Sequence, residues 1–114
     1  MKGLDDLPLT PPLREALQTA LQRLTAEFRV DRLVLFGSIV HGESDAESDV
    51  DLLIVLPAPP TRLVRDRITS LILDINLAYD TNLSEIIVDQ QTWDYGLPSA
   101  LPIHQEIEEA GIRL

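Results

Sequence analysis

The chain has 114 residues, 45% of them apolar, and carries 19 acidic against 9 basic side chains for a formal net charge of −10. That length holds one core, so a single domain over residues 1–114 is expected, and a charge this negative argues against a nucleic-acid binder, which needs a basic face. The absence of cysteine excludes disulfides, thiol catalysis and cysteine-ligated zinc, and no stretch approaches the ~20 consecutive apolar residues of a membrane span.

In chain order, the first element is a helix. Thr10 followed by Pro11 and Pro12 is a helix start, and Leu13, Leu17, Ala20, Leu21, Leu24 and Phe28 recur at helical spacing. Strand one covers Arg32 to Phe36, and a short helical turn is expected over residues 38–43. The stretch Gly42-Glu43-Ser44-Asp45-Ala46-Glu47-Ser48 is polar and acidic and reads as a loop. Strand two runs from Asp49 to Leu56; Pro57, Pro59 and Pro60 end it, and Thr61 caps a second helix with Val64, Ile68, Leu71, Ile72 and Ile75 as its buried stripe. After the turn Asp80-Thr81-Asn82, a third strand spans Leu83 to Val88. Two short helices follow, over Gln90 to Tyr95 and Ser99 to Ala110, with Gly111 as a C-terminal cap. No membrane-targeting core precedes these elements: Met1-Lys2-Gly3-Leu4-Asp5-Asp6 lacks a signal-peptide apolar run, and a cytoplasmic location is expected.

The chemistry concentrates between strands one and two. Gly37 and Ser38 end the first, ten residues intervene, and Asp49-Val50-Asp51 opens the second. In a strand, residues two apart project from one face, so Asp49 and Asp51 point together while Val50 turns into the core. Two hard oxygen ligands then share a pocket, which suits a metal-bound phosphate. Gly37 lets a backbone approach a ligand closely, and Ser38 offers a hydroxyl and an N–H to phosphate oxygens.

Topology follows from the same residues. For Gly37-Ser38 to meet Asp49, strands one and two must be antiparallel, whereas a helix between strands two and three makes those two parallel. Strand three then starts at the same sheet end as strand two, which places Glu85 beside the two aspartates. The alternative for Glu85 is a solvent-facing residue at the strand edge. The helix bearing Arg62, Arg65 and Arg67 begins at the opposite end of the sheet, so these arginines form a solvated face or a partner surface.

Gly37-Ser38, the ten-residue gap, the Asp49-Val50-Asp51 triplet and the apolar strand after it resemble the signature of the DNA polymerase β nucleotidyltransferase superfamily, and the short chain is similar to its minimal nucleotidyltransferase branch. The resemblance extends from about Leu13 to Leu114. It implies an α+β, two-layer fold, with a small mixed sheet of three or more strands flanked by helices. It also implies transfer of AMP from ATP to a hydroxyl with loss of pyrophosphate, with two magnesium ions held by Asp49, Asp51 and Glu85. In the family the third position is usually Asp; Glu85 is one methylene longer, and it would also accept the hydroxyl proton. Gly37 and Ser38 would hold the β and γ phosphates, and Ser48 would orient the loop. Where the family has an Arg before the turn-closing glycine, this chain has His41.

Larger members of that superfamily add a domain that binds the acceptor, so the acceptor site here is expected from a partner. Minimal nucleotidyltransferases are associated with HEPN-domain toxins, and the resemblance implies an antitoxin that adenylylates or binds such a helical protein in a hetero-oligomer. Two other readings stay open: a catalytically silent module that only binds and neutralises its partner, and a small-molecule nucleotidyltransferase completed by oligomerisation of the chain itself.

Overall fold

The computed structural model describes residues 6–42 and 49–114. Ser48 and the rest of the acidic loop lie outside the described residues. Among the described residues four α-helices, α1 (Pro11–Glu27), α2 (Arg62–Tyr79), α3 (Gln90–Tyr95) and α4 (Pro102–Ala110), accompany four strands, β1 (Arg32–Phe36), β2 (Val50–Leu56), β3 (Leu83–Asp89) and β4 (Ile112–Arg113). The strands form one sheet in the order β3-β2-β1-β4. β1 is antiparallel to β2 and β4, and β2 is parallel to β3 across the α2 connection. This is the mixed α+β architecture expected from the sequence, with its strand directions.

Local signals explain the long helices. Thr10 caps α1 by accepting from the Leu13 N–H at 3.4 Å, with the two prolines where the first helical N–H groups have no partner. Thr61 repeats this for α2, accepting from Val64 at 3.2 Å. α2 ends at Asp80, whose φ of 54° and ψ of 50° form the left-handed cap usually given to glycine. Asn76 in the last turn of α2 then fixes the entry to β3. Its side chain accepts from the Leu83 N–H at 2.8 Å and donates to the Leu83 carbonyl at 3.0 Å, occupying edge groups that would otherwise be open to another strand.

β2 is buried on both faces, which is why it reads as a continuous apolar run rather than an alternating one. Val50, Leu52, Ile54 and Leu56 pack with Ala16, Leu17, Ala20 and Leu24 of α1 and Ile68, Leu71, Ile72 and Ile75 of α2 in the main core. Leu53 and Val55 point the other way, into a smaller core with Phe36, Trp93 and Ile107. Fully burying such aliphatic side chains contributes on the order of 2 kcal/mol each before entropy is counted.

The C-terminal third departs from the sequence reading in two places, a split helix and an added strand. The helix expected over Ser99 to Ala110 is a 3-10 turn at Leu97–Ala100 followed by α4, because Leu101 is extended (φ −92°, ψ 146°) ahead of Pro102. Gly111 caps α4 as expected, donating its N–H to the Ile107 carbonyl at 2.8 Å, in an extended rather than a left-handed conformation (φ −64°, ψ 151°). Glycine is needed there for close approach, since a Cβ would clash with the Ile107 carbonyl and meet Val34 Cγ1 at 2.6 Å. The two-residue β4 that follows pairs Ile112 with Leu35 and Arg113 with Val34.

Candidate active site

β1 and β2 meet in register so that Phe36 faces Asp51. The chain then leaves β1 through Gly37, with φ 88° and ψ −157°, a conformation accessible essentially to glycine alone. A Cβ at this position would collide with Asp51 Oδ2, so the carboxylate lies directly against the glycine backbone. Next comes a 3-10 turn, Ser38–His41, closed by Gly42 in the left-handed region (φ 71°, ψ 18°). Ile39 is buried in the main core and anchors the turn, leaving Ser38 half-buried at its start.

Asp51 is half-buried and Asp49 is exposed just before β2. Burial, and then the negative charge of Asp49, push the Asp51 carboxyl above its ordinary value. Among the described residues no basic side chain forms an ion pair with either aspartate. Asp51 therefore lies against Gly37, with Ser38 next in the chain and Asp49 near enough for its charge to act on Asp51. His41 in the same turn is exposed, and its Nε2 lies 3.6 Å from Glu106 Oε1, linking the turn to α4.

Glu85 is not brought to this face. In the parallel β2–β3 ladder Asp51 pairs with Ser84, and Glu85 pairs with Leu52. Paired residues share a face, so Glu85 projects with Leu52, Leu83 and Ile87 toward the α1/α2 layer, while Ser84 and Ile86 share the Asp51 face. The expected third carboxylate is thus one residue out of phase. Ser84 is the residue that the sequence reading missed, and parity would have found it: Leu83 is the core-facing first residue of β3, so the next residue faces the site.

The donor set fits a hard divalent cation. Asp49 and Asp51 offer oxygens, the backbone at Gly37 has no side chain to fill the space beside them, and no protein cation competes among the described residues. A depression of about 310 Å³ lies elsewhere, between α1 and α2, lined by residues including Arg23, Asp66 and Arg67, and has no part in this arrangement.

The nucleotidyltransferase domain model matches residues 14–110. The chain belongs to that family. Two curated relatives come from Methanocaldococcus jannaschii. The protein named "Putative protein adenylyltransferase MJ0141" is 41% identical over 59 residues, covering 52% of this chain and 60% of that protein. The one named "Putative protein adenylyltransferase MJ1305" is 32% identical over 96 residues, covering 80% of this chain and 63% of that protein. The chain thus spans about three fifths of the length of these relatives. A solved structure described as a "putative minimal nucleotidyltransferase" superposes with a TM-score of 0.63 over 99% of this chain and 97% of its own at 21% identity, a likeness of fold. Among the described residues no helix is long and apolar enough to cross a membrane.

Proposed function

We propose that this nucleotidyltransferase domain transfers AMP from ATP to a hydroxyl on a partner protein. The observation that carries the reading is the contact of the Asp51 carboxylate with the Gly37 backbone, beside Asp49, at the head of two adjacent strands. The printed names of the two archaeal relatives, protein adenylyltransferases, support protein as the acceptor.

Asp49 and Asp51 would hold a magnesium ion, which when bound offsets the negative charge of the triphosphate and of the leaving pyrophosphate. The chain's own residues do the positioning. The turn at Gly37 and Ser38 presents backbone and hydroxyl groups to the β and γ phosphates and turns the α phosphorus toward the acceptor. The acceptor oxygen bonds to that phosphorus, the bond to the bridging α–β oxygen breaks, and pyrophosphate departs. Glu85 is too far out of phase to take the hydroxyl proton, which passes to solvent or to a partner group. The proposed acceptor is a HEPN-like toxin, with this chain as its antitoxin. Exposed Tyr95, Leu97, Leu101 and Ile103 offer an apolar surface for such a contact.

The test is to incubate the chain, magnesium, ATP labelled at the α phosphate, and the product of an adjacent gene. Label on the partner with pyrophosphate release, lost in Asp51→Asn, is the expected result. The position of Glu85 favours one second reading, a module that binds nucleotide and partner without transfer. Saturable ATP binding with no labelled partner would select it.

A further inference from the structure

A second cluster of ligating side chains lies at the opposite end of β1, about 13 Å along the strand from the Gly37 turn. Asp94 of α3 and His104 and Glu108 of α4 each direct one ligand atom into a common space, all within 4.8 Å of one another. From this geometry we propose a binding site for a zinc-class divalent cation that pins α3 to α4, distinct from the Asp49–Asp51 site and independent of the function proposed above.

Three observations carry it. First, His104 Nε2 is shut off from solvent yet has no hydrogen-bond partner among the described residues; Glu108 Oε1 lies 3.9 Å away, beyond hydrogen-bond reach. A buried imidazole nitrogen left unpaired is costly, and a metal ion is a partner that satisfies it. Second, the prospective ligands are already held from behind. Trp93 Nε1 donates to Glu108 Oε1 at 2.7 Å, Arg32 donates to both Asp94 oxygens at 2.9 Å, and the Trp93 ring lies against the His104 ring with centroids 4.4 Å apart. Such outer hydrogen bonds are what orient metal-binding carboxylates and imidazoles. Third, the charges are unbalanced. Asp31, Asp94 and Glu108 surround the single Arg32 guanidinium, and Arg113 reaches only the Asp31 carbonyl. Two negative charges remain, which one divalent ion offsets.

One nitrogen and two oxygens suit zinc better than magnesium, because imidazole is a poor magnesium ligand. Tetrahedral zinc with bonds near 2.0–2.1 Å separates its ligands by roughly 3.4 Å, so the three side chains close in by about an ångström. Arg32 keeps its bonds to Asp94 through lone pairs that the metal does not use.

The experiment uses the full chain freed of metal and then titrated with zinc sulfate, followed by melting temperature and by equilibrium dialysis. Wild type should bind one zinc at this site and melt at least ~5 °C higher at 100 µM zinc. His104→Ala and Asp94→Asn should each weaken that binding at least tenfold, while Asp51→Asn should leave it intact. Far-ultraviolet circular dichroism of the metal-free variants checks their folding; His104→Gln provides a second, size-matched removal of the ligand. The proposal is overturned if wild type gains no stability from zinc, if folded His104→Ala and His104→Gln bind zinc as wild type does, or if Asp51→Asn alone abolishes binding.

Discussion

The two ends of β1 both gather carboxylates and treat them in opposite ways. At the Phe36 end, Asp51 sits half-buried against Gly37 with Asp49 nearby and no described cation, and its carboxyl is pushed up. At the Arg32 end, both Asp94 oxygens accept from Arg32 Nη2 at 2.9 Å, and Asp31 accepts from the same Arg32 through Nε at 2.9 Å. Burial works against the Arg32 charge, but the hydrogen bonds and charges of Asp94 and Asp31 outweigh it and hold the guanidinium above its ordinary value. The first end leaves its carboxylates without any described cation, whereas the second, although acids outnumber its one guanidinium, uses Arg32 to tie α3 and α4 to the sheet. The difference is one that composition cannot reveal, since the same residue types serve both.

The largest expected effect breaks the first end. Gly37→Ala forces a side chain into a backbone conformation that costs about 1–3 kcal/mol and drives it into Asp51. Displacement of the carboxylate should lower transfer at least about 100-fold, and steady-state labelling together with a urea melt measures both losses. Breaking the other end has a different signature. Arg32→Met strips Asp94 and Asp31 of their donor, and the urea midpoint should fall by the equivalent of about 2 kcal/mol while magnesium-dependent ATP binding by the folded fraction persists.

Much of this contrast could be read from the sequence, and the reasons are local. Gly37, Ser38, Asp49 and Asp51 lie within one β-turn-β unit, where strand parity and an antiparallel return leave little freedom. Glu85 failed because it depends on a non-local register, and a one-residue offset between β2 and β3 moves a side chain to the other face. The Arg32 network was invisible for a related reason: its members are separated by 62 and 76 residues and meet only once both cores have packed. β4 is too short, at two residues, to leave a pattern, and its role follows from the approach of Gly111 to Val34.

A smaller effect sharpens the comparison through pH. The folded state raises the Asp51 pKa, so its contribution to the stability of the metal-free protein is fully present below the unfolded value and is lost as pH rises through the folded value. Asp51→Asn should remove that dependence and stabilise the metal-free protein by about 0.5 kcal/mol near neutral pH. Melting curves of both proteins between about pH 4 and 7 should therefore diverge as pH increases. The smallest expected effect belongs to Glu85→Gln, whose side chain lies on the far face; transfer should stay within about twofold of wild type, because a surface substitution away from the site removes no interaction with the reacting groups. A large loss in that variant would place Glu85 in the chemistry and require a different register for β3.

The central claim is that Asp49 and Asp51, set against Gly37, form a metal-dependent nucleotide site. Isothermal titration of ATP into the metal-free chain, with and without magnesium, tests it most directly when wild type and Asp51→Asn are compared. The expected result is saturable binding by wild type only with magnesium and at least about a tenfold weaker interaction in Asp51→Asn. Equal affinity in the two proteins, or binding by wild type that ignores magnesium, would contradict the account.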